Sequence, residues 1–251
     1  MCCFSRPVIS VNATKIFARA CDPTRQYLVY SMTIDARDDL AMILPLPVRL
    51  PAGETDVEFI NLEAYPDFFS DLERGFPTPP LTRGSSVTKR PSTAGKLAVV
   101  TVGSFEASFV PSVKDFSRLD ERFRLADDVW KKLPGYENYG FAVFKLKQGA
   151  MTIHPMAFSF LRRDTETVFF PTVHIHDGKV HEEAEFDHVI YCQPRPDERL
   201  SVRQWEESYT LPSCFMQMDK TKGIVLPDQH CYKHEMNGLL ANRDTFLSVL
   251  S

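Results

Sequence analysis

The chain has 251 residues, 43% hydrophobic and 25% charged, which suits a globular protein with a sizeable core. Its formal net charge of −4 supplies no basic field, so nucleic acid and anionic lipid are not expected partners. No window approaches the roughly 18 apolar residues of a membrane-spanning helix, and the longest apolar run, Leu40–Leu50, contains Pro45 and Pro47.

Met1 runs directly into Cys2 and Cys3, without a basic start and an apolar stretch, so no secretory signal is expected. The six cysteines (2, 3, 21, 192, 214 and 231) follow no regular framework, which points to reduced thiols and a cytoplasmic chain. Tyr27–Ile34 and Leu40–Val48 then read as strands joined by the polar turn Asp35–Asp39. Pro45 and Pro47 remove ladder donors and suit a sheet edge or an exit from the sheet. Val57–Ile60 is a short strand. Tyr65-Pro66 opens a brief helix with Phe69, Leu72 and Phe76 at helical spacing, Pro66 in its first turn and Gly75 near its end. Residues 77–96 are rich in Pro, Ser, Thr and Gly with almost nothing to bury, and read as a flexible loop.

Leu97–Gly103 and Phe105–Val110 resume β-structure. The spacing of Leu119, Phe123, Ala126, Trp130 and Leu133 predicts the main amphipathic helix over 117–133. Ser117 would cap it, with Asp120 three residues on, and Pro134-Gly135 would stop it. Phe141–Lys147, Met151–Leu161, Thr167–His176 and Phe186–Cys192 are strand-like. The tail reads as a helix at Ser201–Tyr209, a polar loop at Asp219–Asn237 and a short helix at Asn242–Leu250. There is no internal repeat. The expected fold is a single α+β domain over residues 1–251, built mainly of antiparallel sheet.

Several phrases taken together, Gln26–Met32, Leu40–Val48, Val102–Glu106, Tyr139–Lys147 and Ile153–Met156, carry a family likeness. Over roughly residues 20–190 the chain resembles bacterial proteins of domain of unknown function 2330. Similar members share an apolar Leu-Pro-x-Pro strand after a first β pair, a Val-Gly-aromatic strand, a helix and a Lys-Leu-Lys strand leading to a hairpin. The resemblance implies a β-rich scaffold and transfers no activity and no functional residue. Members usually begin with a secretory signal, which is not expected here.

Residues 171–192 hold His174, His176, His181 and His188, four of the seven histidines, among Asp177, Glu182, Glu183, Glu185 and Asp187. His174 and His176 alternate in a strand and therefore share one face. Two imidazoles at that spacing can share a metal ion, zinc-like or iron-like, with His181 or His188 returning from a neighbouring strand and Asp177 or Glu183 completing the shell. The second histidine motif of a cupin is absent. The bland alternative is a solvated, His-rich hairpin tip. A second candidate is Cys2: loss of Met1 would expose an N-terminal thiol whose own amine could act as base. Ile16–Asp22 resembles the Phe-x-Arg-x-x-Asp segment of cysteine-type N-terminal-nucleophile amidases such as choloylglycine hydrolases, which implies Arg19 and Asp22 as supports of Cys2. The alternatives are a buried first strand, or Cys2 and Cys3 acylated as a membrane anchor. A third is Cys231 with His234, set on an expected exposed turn. The leading expectation is a soluble β-rich binding or scaffolding protein, with a protein or small-molecule partner and a His-rich metal site. The alternative is a Cys2-dependent amide hydrolase.

Overall fold

Leu40–Leu46 is buried at every position, which explains why its sequence is apolar throughout rather than alternating: the strand is covered on both faces. The computed structural model describes residues 2–77, 100–102, 105–125, 130, 134–176, 179 and 181–250. Numbered in chain order, the strands begin with β1 (Cys2–Phe4), β2 (Ser10–Ala20), β3 (Arg25–Ala36), β4 (Leu40–Leu46) and β5 (Val57–Asn61). After the helix α1 (Phe68–Arg74) come β6 (Val100–Val102), β7 (Phe105–Val110), β8 (Gly140–Leu146), β9 (Gly149–Thr152), β10 (Met156–Leu161) and β11 (Thr167–Phe170). The series closes with β12 (His174–Ile175), β13 (Glu183–Cys192), β14 (Arg199–Leu200), β15 (Glu206–Glu207), β16 (Tyr232–Ala241) and β17 (Thr245–Leu250).

Six strands form one sheet in the order β12-β1-β4-β8-β7-β6. Eight form a second, β15-β16-β13-β2-β3-β10-β5 with β9 also on β3, and β11-β17-β14 form a small third. Pairing is mainly antiparallel, as expected, but the two large sheets are mixed: β1 runs parallel to β12, and β13 parallel to β2. The main core lies between these sheets, where Leu28, Tyr30, Phe158 and Phe160 of the larger meet Met42, Leu44 and Phe144 of the smaller. Each such fully buried side chain contributes roughly 1.5–3 kcal/mol. The outer face of the six-stranded sheet (Ile43, Phe141, Val143) is covered by Phe116, Phe123 and Leu125. The outer face of the eight-stranded sheet (Phe17, Val29, Tyr191) is covered by α1 and the 215–231 segment.

Several sequence expectations need correction. Strand β4 is internal, not an edge, although Pro47 does lie at its exit from the sheet, just past Leu46. Pro45 is tolerated because β1 pairs only Met42 and Ile43, leaving Pro45 past its reach. The predicted helix over 117–133 does not start at Ser117. Val113–Arg118 and Glu121–Phe123 are 3-10 turns separated by an extended Leu119, and Asp120 caps only the second. The Arg124 guanidinium binds the carbonyls of Ser117 and Leu119, occupying acceptors that a continuing helix would need. Residues 126–129 and 131–133 lie outside the described residues. Met151–Leu161 is two strands, broken at Ile153–Pro155, and Thr167–His176 is likewise β11 and β12. Asn242–Leu250 is not a helix: β17 lies there, and its paired partners β11 and β14 are distant in sequence. Ser201–Tyr209 holds β15 rather than a helix, and the expected polar loop at Asp219–Asn237 gives way to β16 from Tyr232. The loop expected over 77–96 falls, apart from Pro77, outside the described residues.

The brief helix after Tyr65-Pro66 is present as α1. Phe68 and Leu72 are fully buried, and Phe68 meets Phe17, Tyr65 and Phe69 in edge-on contacts. Its last turn is held by charge. Glu73 accepts hydrogen bonds from the Tyr191 hydroxyl (2.7 Å) and Lys15 Nζ (3.2 Å). Lys233 Nζ lies 2.9 Å from Glu206, 3.4 Å from Glu235 and 4.0 Å from Glu73, above the Phe76 ring.

Candidate histidine site

Strand β12 is only two residues long, and its position is set by the turn before β17. Asp244 Oδ1 accepts the backbone N–H groups of Thr172 and Val173. The Asn242 side chain accepts the His174 N–H (2.7 Å) and donates to the carbonyls of His174 (2.9 Å) and His181 (3.0 Å). With its backbone fixed, His174 projects into a stack: its ring lies 4.8 Å from His176, 4.3 Å from Phe186 and 4.5 Å from His188. His174 and His176 do share a face, as their spacing requires. His188 arrives from the other large sheet, on β13, and its Nε2 is 3.0 Å from Nε2 of His174. His181 is exposed; its carbonyl reaches the group through the Asn242 amide.

Strand β2 forms the floor. A bulge between Asn12 and Lys15 shifts its register against β3, and Ala13 takes a positive φ of 53°, uncommon for a residue with a Cβ. The Ala13 N–H is held by Asp187 Oδ2 at 2.6 Å. On β16, opposite Phe186, Gly238 supplies the positive φ (85°) that a side chain would resist. Between these pieces is a cleft of about 300 Å³ lined by Asn12, Thr14, His174, His176 and Asp187 among others. Thr14 Oγ1, on its wall, and His188 Nδ1 are buried without a hydrogen-bond partner, Nδ1 standing 3.7 Å from Asp187 Oδ1. Burial, and then the neighbouring imidazoles, push the His174 pKa down to about 3 and that of His188 to about 2, so both rings are neutral at physiological pH. Among the described residues no group of three or more His, Cys, Asp or Glu side chains is arranged to hold a metal ion. Thr14 and Phe186 were not singled out from sequence as parts of a site, and Asp187 was named only as one of the acidic residues around the histidines. The bulge that presents Thr14 has no local sequence signal.

The other candidates are dispersed. The backbone of Cys2 pairs with His174 at the edge of the six-stranded sheet, and its side chain lies outside the described residues. Arg19 is on the other large sheet and donates to the carbonyls of Ile224 (2.7 Å) and Gly223 (2.6 Å). Asp22 Oδ1 accepts from the backbone N–H groups of Thr24 and Arg25 in a local turn. Cys231 and His234 do not meet on an exposed turn. Cys231 is buried in the core under α1, its thiol pushed up to about 12 by burial, while His234 stacks on Trp205. Burial also raises the thiols of Cys21 and Cys192, which keeps them protonated and poorly nucleophilic.

No family model and no curated protein matches the sequence. Solved structures do. The crystal structure of baculovirus P35 superposes with a TM-score of 0.51 at 14% identity, over 96% of this chain and 97% of that one. The fold is similar to that of baculovirus P35. At such identity the likeness is one of fold alone. Two further structures fall below a TM-score of 0.5: a mutated baculovirus P35 after caspase cleavage (0.47, 12% identity, 95% of this chain and 100% of that one) and the caspase-8/P35 complex (0.47, 11% identity, 96% and 97%). No helix among the described residues is long and apolar enough to cross a membrane.

Proposed function

We propose that this protein works by binding another protein. The observation that carries this reading is the outer edge of β16. Strand β13 pairs all ten residues of β16 on one side, whereas on the other β15 pairs only Tyr232 and Lys233. Among the described residues no strand pairs the rest of that edge, and Leu239 on it is 63% exposed. An open edge offers backbone donors and acceptors to an incoming extended segment, with side-chain contacts adding selectivity. The nearby β17 presents Phe246 and Leu250, each about half exposed, which gives an incoming chain apolar surface to cover.

The fold likeness supports a particular first partner. Baculovirus P35 forms a complex with caspase-8, so a protease of that class is the partner to test. The full chain is mixed with active caspase-8, the mixture is passed over a sizing column, and turnover of a fluorogenic peptide is followed. Co-elution with reduced turnover is expected. Separate elution with unchanged turnover rejects the protease as partner. Binding at β16 requires further that Leu239→Lys, which places a charge on the open edge at an exposed position, weakens whatever complex forms.

A further inference from the structure

We propose that the cleft between β2 and β13 seats a guanidinium group. The carboxylates of Glu185 and Asp187 and the Thr14 hydroxyl accept its N–H groups, and the rings of His174, His176 and Phe186 supply a flat wall. The cleft exists because two neighbouring strands part. Strand β13 pairs β2 only from Val189 to Cys192, and its earlier residues pair β16 alone. Ahead of the bulge at Ala13, Ser10–Asn12 pair β3 alone. The wedge between them is about 300 Å³. That is the low end of the roughly 300–1,000 Å³ usual for ligand clefts, so it takes one head group of side-chain size rather than a large molecule.

Charge in the cleft has one sign. Among the described residues no lysine or arginine lines it. Carboxylates elsewhere, such as Glu73, Glu106 and Asp120, are paired with Lys or Arg. Asp187 Oδ2 takes only the Ala13 N–H, and Oδ1 stands 3.7 Å from the neutral His188 ring, so the carboxylate keeps acceptor capacity. Burial holds the His174 ring uncharged, and it does not repel a cation. Thr14 is an independent sign of a ligand. Its hydroxyl lies on the wall, the residue is 1% exposed, and no group of the chain hydrogen-bonds to it, so a buried acceptor stands ready for an N–H donor. The wall itself selects among cations. His174 lies nearly parallel to His176 (17°) and to Phe186 (28°). A guanidinium is planar, weakly hydrated and forked, so it stacks on flat rings while donating to carboxylates. An ammonium is a point charge that gains less from such a wall. The open edge of β16 is on the far side of β13, so this inference and the protein-binding reading stand or fall separately.

The test uses the full chain and two probes of the same shape, N-acetyl-arginine amide and N-acetyl-citrulline amide, titrated by calorimetry and followed by NMR. One equivalent of the arginine probe is expected to bind, about tenfold tighter than the citrulline probe, which keeps the shape and loses the charge. Its shift changes should centre on the Thr14 methyl and the His174 and His176 ring signals. Glu185→Gln, at an exposed position, should weaken the arginine probe about tenfold. Glu183→Gln removes an exposed carboxylate that does not line the cleft and should leave binding unchanged. Methylguanidinium separates the sources of the group. Binding as tight as that of the arginine probe supports a free small molecule, and weaker binding supports an arginine of a partner chain. The probe comparison is made on the unaltered chain and does not depend on a variant folding. No saturable binding, equal binding of the arginine and citrulline probes, or equal affinity in the Glu183 and Glu185 variants each overturns the proposal.

Discussion

Two corners of the molecule collect ionisable side chains, and they do so in opposite ways. Beneath α1, Glu73, Lys15, Lys233, Glu206 and Glu235 alternate in sign, and the Tyr191 hydroxyl closes the group. Beside β12, His174, His176 and His188 are packed together, two of them held neutral, with Thr14 Oγ1 and His188 Nδ1 left without hydrogen bonds. The first corner is satisfied and stabilises the attachment of α1. The second retains unmet hydrogen-bonding capacity, which costs stability. Unsatisfied buried groups beside a bulge and a strained φ mark a place shaped by something other than stability.

The largest expected effect tests the first corner. Phe68→Ala empties the apolar anchor under α1 and should cost about 3–5 kcal/mol in denaturant unfolding. A loss under 1 kcal/mol would mean that the charges alone hold the helix. Next, Lys233→Met leaves three carboxylates without their shared cation. Because those carboxylates are partly exposed, the expected cost is about 1–2 kcal/mol, and a neutral outcome would erase the distinction between the corners.

At the histidine corner the sign reverses. Thr14→Val replaces an unpartnered hydroxyl by a methyl of similar size and should raise stability by up to about 1 kcal/mol. A clear loss would show that the hydroxyl is satisfied in solution. The smallest effect is in pH. Burial pushes the Glu73 carboxyl up, but the Tyr191 hydroxyl, Lys15 and Lys233 outweigh it and leave its pKa below the usual carboxylate value. A lowered folded-state pKa contributes stability above the unfolded value and loses it as pH falls through the folded one. The stability gap between the natural chain and Glu73→Gln, under about 1 kcal/mol for so exposed a group, should therefore be full at pH 7 and shrink below about pH 4.5. A gap that widens on acidification contradicts the assignment.

The strands that were legible in the sequence are those written as compact apolar runs bounded by turn residues. Strands β3, β4, β5 and β10 announce themselves by apolar runs between turn residues, and α1 by Pro66 and its Phe and Leu spacing. The stripe at Leu119 and Phe123 misled because its hydrophobic residues do face one surface, whereas Trp130, further along it, is helical as expected. That surface is the outer face of the six-stranded sheet, reached through 3-10 turns, and periodicity does not tell these from a helix. Strand β17 was missed because only Leu247 of its six residues is buried, so no alternating apolar face marks it. At the candidate site, the shared face of His174 and His176 was readable. The contact with His188 was not readable as it occurs, since β12 and β13 belong to different sheets and meet only when the layers pack.

The two parallel pairings have a consequence for how the chain is made. Strand β1 needs β12, and β2 needs β13, so the earliest segments to leave the ribosome wait for partners beyond residue 170. Local hairpins such as β2–β3 can close early, yet one long edge of β2, with Ile16 and Phe17 on opposite faces, stays bare until β13 emerges. Closure of such distant loops is slow, and exposed strand edges invite association in the meantime. Nascent chains stalled before Cys192 should therefore be the aggregation-prone species, and synthesis of this protein should draw on chaperones that shield strand edges until the last quarter of the chain arrives.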